Sequence, residues 1–186
     1  MSVTTIAPDA AAARVGVLPS VAVLVPSRNA AGTIVATVRA LLEETGGVVA
    51  EVLVVDDASH DATRAAVRPL RTEYGARVRL LVNVEGIGYG ASVKRAFREH
   101  AWLAPFVAVV HADAGPAAAG ALLDMVATLA QEPVPDVVID EETPIVLLDR
   151  EVLSGADVDR LADGDLFHPQ LRRLLGGKPR LVTRAV

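Results

Sequence analysis

The run Val54-Val55-Asp56-Asp57-Ala58-Ser59-His60-Asp61-Ala62-Thr63 constrains this chain more than any other segment. A hydrophobic strand over residues 51–55 ends in two adjacent carboxylates, and small and helix-capping residues follow. Asp56 and Asp57 thus fall at the carboxyl end of a strand, where open α/β sheets bind their ligands. Successive strand side chains point to opposite faces, so one carboxylate can meet a ligand while the other orders the turn. Asp57 suits the first role, accepting the N3–H of a uracil-like base or a hydroxyl; Asp56 suits the second. The competing reading is that Asp57 and Ser59 only cap the next helix.

Hydrophobic residues make up 52% of the 186 and aromatics only 3%. Valine, leucine and alanine must therefore fill the interior, which favours buried parallel strands covered by Ala-rich helices. Apolar stretches at 21–25, 51–55, 78–82 and 106–110 alternate with helical patterns. Ile34, Val35, Val38, Leu41 and Leu42 share one helix face, and a second helix is expected over about 61–74. Val93, Ala96 and Phe97 belong to a third, and Leu122, Leu123, Val126 and Leu129 to a fourth. Four consecutive strand–helix units predict an α/β fold with a mostly parallel sheet flanked by helices on both faces. Short strands are expected at 137–139 and 145–148, a helical turn at 149–153, a short helix at 169–175 and a terminal strand at 180–186. Residues 1–19 are rich in Ala, Pro, Thr and Ser and read as a flexible leader, leaving 20–186 as a single domain.

Several classes are disfavoured. A net charge of −5 argues against a nucleic-acid surface. With no cysteine there is neither a disulfide nor a thiolate metal site. No apolar run reaches the roughly 18 residues of a transmembrane segment, and the N-terminus makes a poor signal peptide. A cytoplasmic protein is the default expectation. The acidic stretch 132–165 and the basic Arg172, Arg173, Lys178, Arg180 and Arg184 read as two solvated faces.

The candidate sites follow the strands. After the first comes Val25-Pro26-Ser27-Arg28-Asn29: the proline breaks the strand, Ser27 and Asn29 can meet base or ribose edges or cap the next helix, and Arg28 can reach a phosphate or a carboxylate. After the third comes Asn83-Val84-Glu85-Gly86-Ile87-Gly88-Tyr89-Gly90, whose glycines permit close backbone approach and whose amides can face a pyrophosphate at the start of a helix. Lys94 lies one turn further on and can add positive charge. After the fourth comes His111-Ala112-Asp113-Ala114-Gly115-Pro116. His111 and Asp113 both reach the cleft if the chain is extended there. Asp113 can bind a Mg2+ or Mn2+ that bridges two phosphates; an imidazole suits Mn2+ better than Mg2+.

Taken in order, these loops resemble family 2 glycosyltransferases of the nucleotide-diphospho-sugar transferase fold, called GT-A. Val25-Pro26-Ser27-Arg28-Asn29 resembles the family's Val-Pro-x-x-Asn. Residues 55–63 are similar to its Val-Asp-Asp-Gly-Ser-x-Asp-Gly-Thr, with Ala58 and Ala62 in place of glycines. Residues 83–90 resemble its Asn-x-Gly-x-Gly helix start, and 111–116 its Asp-Ala-Asp-Gly followed by proline, with His111 in place of the first aspartate. The resemblance covers residues 21–130. It implies an inverting transfer from a UDP- or GDP-linked nucleotide-diphospho-sugar, with Mn2+ or Mg2+ as cofactor. The nucleotide site expected from the loops and the resemblance is Pro26, Ser27, Arg28, Asn29, Asp56, Asp57, Asn83, Gly86, Gly88, Lys94 and Ala112. The metal site is Asp113, His111 and His168.

The acceptor half departs from the family. Members usually carry some tens of residues between the strand near 136–139 and the helix near 149–153, and that stretch builds the acceptor wall. Here only 140–148 remain, so a truncated acceptor half is expected. Inversion needs a base beside the acceptor hydroxyl. Glu141, Glu142 and Asp149 qualify by position alone, so the catalytic base is unassigned. The alternative function is a catalytically degenerate homologue acting as a nucleotide-binding or protein-interaction module. A nucleotidyltransferase is disfavoured, because the first strand lacks the Gly-rich, Arg- and Lys-containing loop of such enzymes. The strand at 180–186 offers a terminal edge for a homodimer.

Overall fold

A computed structural model describes residues 18–99, 102–130, 134–135, 137–140, 145–155 and 181–184. The leader through residue 17, Glu141, Glu142, His168 and the helix expected at 169–175 lie outside them. The four leading strands are β1 (Val21–Ser27), β2 (Val49–Asp57), β3 (Val78–Asn83) and β4 (Phe106–Val110). β5 (Val137–Asp140), β6 (Ile145–Asp149) and β7 (Leu181–Arg184) complete a seven-stranded sheet in the order β3-β2-β1-β4-β6-β5-β7.

β1 pairs in parallel with both β2 and β4, and β2 with β3, as the strand–helix alternation predicts. β5 pairs in parallel with the edge strand β7. β6 runs antiparallel between β4 and β5. The sheet is thus mixed, a feature the local pattern did not specify.

The helices are α1 (Ile34–Glu43), α2 (Thr63–Tyr74), α3 (Tyr89–Glu99), α4 (Ala117–Ala127) and the short α5 (Arg150–Gly155). Strand residues divide by the pleat. Val21, Val23, Val25, Val52, Val54, Ala108 and Val110 pack under α1, α2 and α4, against Ile34, Leu41, Val67, Leu70, Leu122 and Met125. Ala22, Leu24, Leu53, Val55, Val107 and Val109 face the other way, against Val93 and Ala96 of α3, with Phe97 edge-on to Trp102. Each fully buried Leu or Val contributes about 1.5–3 kcal/mol. Both faces of β1 and β2 are covered, which explains their almost unbroken apolar runs. Among the described residues no helix is long and apolar enough to cross a membrane.

This topology fixes where a ligand can enter. From β1 the chain steps outward to β2 and β3, then returns across them to β4 on the other side of β1. The switch point is therefore the crevice outside the carboxyl ends of β1 and β4.

Candidate functional site

A cavity of about 310 Å3 opens at that crevice. It is lined by Pro26, Ser27, Arg28 and Ala30 after β1, Asp57 ending β2, Gly88, Tyr89 and Ser92 at the start of α3, and His111, Ala112 and Asp113 after β4. The loops after four different strands thus meet in one place.

Asp56 and Asp57 separate as the pleat requires. Asp56 is fully buried on the α2 side, where its Oδ2 accepts from Arg64 Nε at 2.5 Å and from the Ser59 amide at 3.3 Å. It orders the turn and is not among the cavity-lining residues. Asp57 faces α3. Its Oδ1 accepts from Asn83 Nδ2 and the Ile87 amide, both at 2.8 Å, and its Oδ2 accepts from the Gly88 amide at 2.9 Å. Burial pushes this carboxyl up, but the hydrogen bonds from Ile87, Asn83, Gly88 and Ser92 outweigh burial and hold it below its ordinary value. Arg28 Nη1 lies 3.8 Å from Oδ2. Oδ2 thus retains acceptor capacity on the cavity side.

The Gly-rich loop therefore serves Asp57 first. Its Ile87 and Gly88 amides, expected to face a pyrophosphate, turn onto the carboxylate instead. Gly88 has φ 89°, a conformation that favours glycine. Gly86 lies close to Arg28: a Cβ there would meet the Arg28 guanidinium at 3.0–3.2 Å, so that flexible side chain would have to give way. Asn83 is buried; its Nδ2 also donates to Ser92 Oγ at 2.8 Å, and its Oδ1 accepts from Arg95 Nη1 at 2.6 Å. It orients Asp57 from behind. Lys94 is buried on α3 beside Arg95 and Arg98, along a separate depression outside the main cavity.

The β1 loop is tied to the β2 loop. The Asn29 amide donates to Ser59 Oγ at 2.9 Å, and Asn29 Oδ1 accepts from the His60 amide at 2.9 Å. The Ala30 and Ala31 amides donate to Thr63 Oγ1 and Asp61 Oδ2. Asn29 thus knits loops together and does not line the cavity. Ser27 Oγ, at the cavity wall, donates to the Val55 carbonyl at 3.1 Å. Neither Asp57 nor Ser59 caps α2; Asp61 Oδ1 accepts from the Thr63 amide at that helix start.

After β4 the chain turns rather than extends, with the Ala114 amide donating to the His111 carbonyl. Even so, His111 and Asp113 both line the cavity. The His111 ring stacks on Tyr89, centroids 4.7 Å apart and planes 15° off parallel. Burial raises the Tyr89 phenol pKa well above its ordinary value, so the ring stays neutral. Asp113 is exposed, and its Oδ1 accepts from Thr33 Oγ1 at 2.8 Å. Thr37 Oγ1 donates to the Ala112 carbonyl at 2.8 Å and accepts from the Gly115 amide at 3.0 Å. Thr33, Thr37 and Tyr89 were not singled out from the sequence. The available signal was two threonines four apart on one face at the start of α1, and a ring inside the Gly-rich loop.

No group of three or more His, Cys, Asp or Glu side chains suited to a metal occurs among the described residues. His111 and Asp113 would offer a cation one imidazole and one carboxylate, a donor set better suited to Mn2+ than to Mg2+. The positional base candidate Asp149 pairs in register with Phe106 at the start of β4, the opposite end of the sheet from the cavity, and its Oδ1 caps α5 through the Glu151 and Val152 amides. Asp140, in contrast, pairs with Ile145, which pairs with Val110, so the β5–β6 connection leaves at the cavity end.

Comparison with known proteins agrees with this architecture. A mannosyltransferase from Pyrobaculum calidifontis, solved with GDP-Man and Mn2+, superposes with a TM-score of 0.71 at 24% identity over 91% of this chain. This chain spans 55% of that protein's length. Glucosyl-3-phosphoglycerate synthase from Mycobacterium tuberculosis superposes with a TM-score of 0.68 at 19% identity, covering 92% of this chain and 71% of the synthase. A structure of the same synthase with Mn2+, UDP and glucosyl-3-phosphoglycerate gives 0.69 at 16% identity, with coverage of 92% and 71%. Comparison with curated protein sequences returns no match. The profile of glycosyl transferase family 2 matches residues 22–145, which takes in β1 through the start of β6 and every loop of the cavity. The chain belongs to glycosyl transferase family 2.

Proposed function

We propose that the switch-point cavity binds the nucleoside diphosphate of a UDP- or GDP-linked sugar together with a divalent cation. The observation that carries this reading is the convergence of Arg28, Asp57, Tyr89, His111 and Asp113 from four loops into one cavity. Asp57 Oδ2 accepts a ring N–H of the base. Asp113 and His111 hold Mn2+ or Mg2+, which neutralises charge on the diphosphate leaving group. The solved relatives that carry GDP-Man or UDP with Mn2+ share this fold and support the assignment.

Calorimetry tests it. UDP or GDP binds more tightly with Mn2+ than without. Asp113→Ala removes the metal-dependent part, and Asp57→Asn weakens binding with or without metal. No binding of either nucleotide at millimolar concentration refutes the reading.

Sugar transfer by inversion is the enzymatic extension. A second reading, binding without transfer, is favoured by one observation: Asp149 stands at the far end of the sheet, and only residues 141–144 connect β5 to β6. Productive transfer needs an enclosed, positioned acceptor. A second copy paired along β7 could supply the missing wall. Molecular mass in solution and transfer from a panel of UDP- and GDP-sugars separate the cases; robust transfer by a strict monomer refutes the need for a partner.

A further inference from the structure

We propose that the stacked Tyr89–His111 pair sets the cation class of the cavity, selecting ions that accept an imidazole nitrogen, such as Mn2+, over Mg2+, with Tyr89 a positioning residue for the His111 ring. The inference rests on the nucleotide-binding reading and deepens it.

Three observations carry it. First, the cavity walls hold two carboxylates, Asp57 and Asp113, and they are not equivalent. Asp57 is drawn onto Asn83, Ile87 and Gly88, whereas Asp113 is exposed and, among the described residues, engages one oxygen with Thr33. An incoming cation therefore meets one carboxylate and one imidazole from these walls. Second, that donor set discriminates. Mg2+ favours oxygen ligands and retains its waters, while Mn2+ accepts imidazole more readily. Third, the groups around a histidine ligand set its ring orientation and so its fitness as a ligand. Here the face of Tyr89 lies against the His111 ring, at 4.7 Å and 15°. A face-on stack restrains the plane of the ring. Tyr89 is in turn fixed as the first residue of α3, directly after Gly88, whose amide is bound to Asp57. The two rings arrive from opposite sides of the crevice: His111 follows β4, and Tyr89 begins the helix that crosses back from β3. If the pair were wall packing alone, its loss would change stability and leave cation preference untouched.

The experiment measures UDP and GDP binding by calorimetry to the full chain with Mn2+, with Mg2+ and with neither, and records pulsed EPR of the Mn2+–UDP complex. Mn2+ is expected to strengthen binding about 10-fold more than Mg2+ does, and the EPR signal to show coupling to a 14N nucleus that disappears in His111→Gln. His111→Asp brings the Mn2+/Mg2+ ratio to about 2 or below by restoring an oxygen donor. Tyr89→Leu lowers the strengthening of binding by Mn2+ about 10-fold, measured relative to its own metal-free binding, and Tyr89→Phe, which keeps the ring, restores it. Nucleotide binding that is Mn2+-dependent but shows no nitrogen coupling, or an Mn2+/Mg2+ ratio unmoved by His111→Asp, overturns this inference and leaves the binding reading standing. No nucleotide binding with either cation overturns both. The two His111 variants, in a loop beyond β4, keep the test decisive should Tyr89→Leu fold poorly.

Discussion

Asp57→Asn isolates what the carboxylate does for the fold before any ligand is added. In the native structure Oδ1 accepts two hydrogen bonds at 2.8 Å and Oδ2 one at 2.9 Å, in a nearly buried setting. Asparagine keeps the oxygen that serves Asn83 and Ile87, but both bonds lose charge assistance, about half their strength. Its amide nitrogen then confronts the Gly88 N–H, donor against donor. That bond is lost and a partly buried amide is left unsatisfied, at about 1–3 kcal/mol. The sum is about 3 kcal/mol at pH 7. For a chain of this size that lowers Tm by about 6–12 °C.

The pH dependence carries the sign. The Asp57 carboxyl is held below its ordinary value of 3.8. A group with a depressed native pKa contributes stability that is complete above its unfolded value and is lost as pH falls through the native one. The gap between wild type and Asp57→Asn should stay constant from pH 7 to about 5, then shrink below 3.8 as the wild-type carboxyl gains its proton. Urea unfolding at several pH values measures this. A difference below about 1 kcal/mol at pH 7, or one that persists unchanged in acid, refutes the account of Asp57 as anchor of the Gly-rich loop.

Other positions give independent checks. Ala58 has φ 52°, so Ala58→Gly relieves a left-handed penalty of about 1–2 kcal/mol against a smaller entropic cost, and should raise stability by about 0.5–1 kcal/mol in urea unfolding. Arg64→Ala leaves the fully buried Asp56 carboxylate without its guanidinium and should cost about 3 kcal/mol; adding Asp56→Asn should recover part of that loss, read as Tm. Gly86→Ala pushes a flexible guanidinium rather than backbone, so stability should move by less than about 0.5 kcal/mol while Arg28 leaves its place over Asp57, read as weaker UDP or GDP binding.

The sequence made the sheet legible because its signals are local. Valine runs on β1 and β2 have both faces buried, and period-two geometry alone sends Asp56 and Asp57 to opposite sides. The antiparallel insertion of β6 was not legible, since strand pairing is chosen by partners distant in the chain. Nor was the destination of the Gly-rich amides, which bind a carboxylate 30 and 31 residues away. Thr33 and Asp113 are 80 residues apart and meet only because α1 packs beside the β4 loop. Lys94 illustrates a missed phase. Ser92 and Tyr89 line the cavity, but Lys94 lies five residues beyond Tyr89 and about 140° around the helix, so its ammonium starts from another face.

The unequal treatment of the carboxylates decides how this cavity meets an anion. Two bare aspartates on the walls would repel a diphosphate. Asp57 does not act as a bare charge, because three N–H donors point at it and the Arg28 guanidinium lies 3.8 Å away. It can therefore present a directional acceptor to a base without adding much negative field. Asp113 is left as the principal unneutralised charge on the wall, exposed and steadied by one hydroxyl. Such a group disfavours a diphosphate alone and favours one that arrives with a cation. Nucleotide and cation affinities must then rise together, each by the factor it confers on the other. His111 enters that balance without adding negative charge. Replacing a carboxylate by an imidazole reduces repulsion of the diphosphate and reduces the pull on the ion by the same stroke. On the proposed nucleotide-binding reading, a cation in the cavity would depend more on the phosphates to complete its coordination and should bind weakly until the nucleotide is in place.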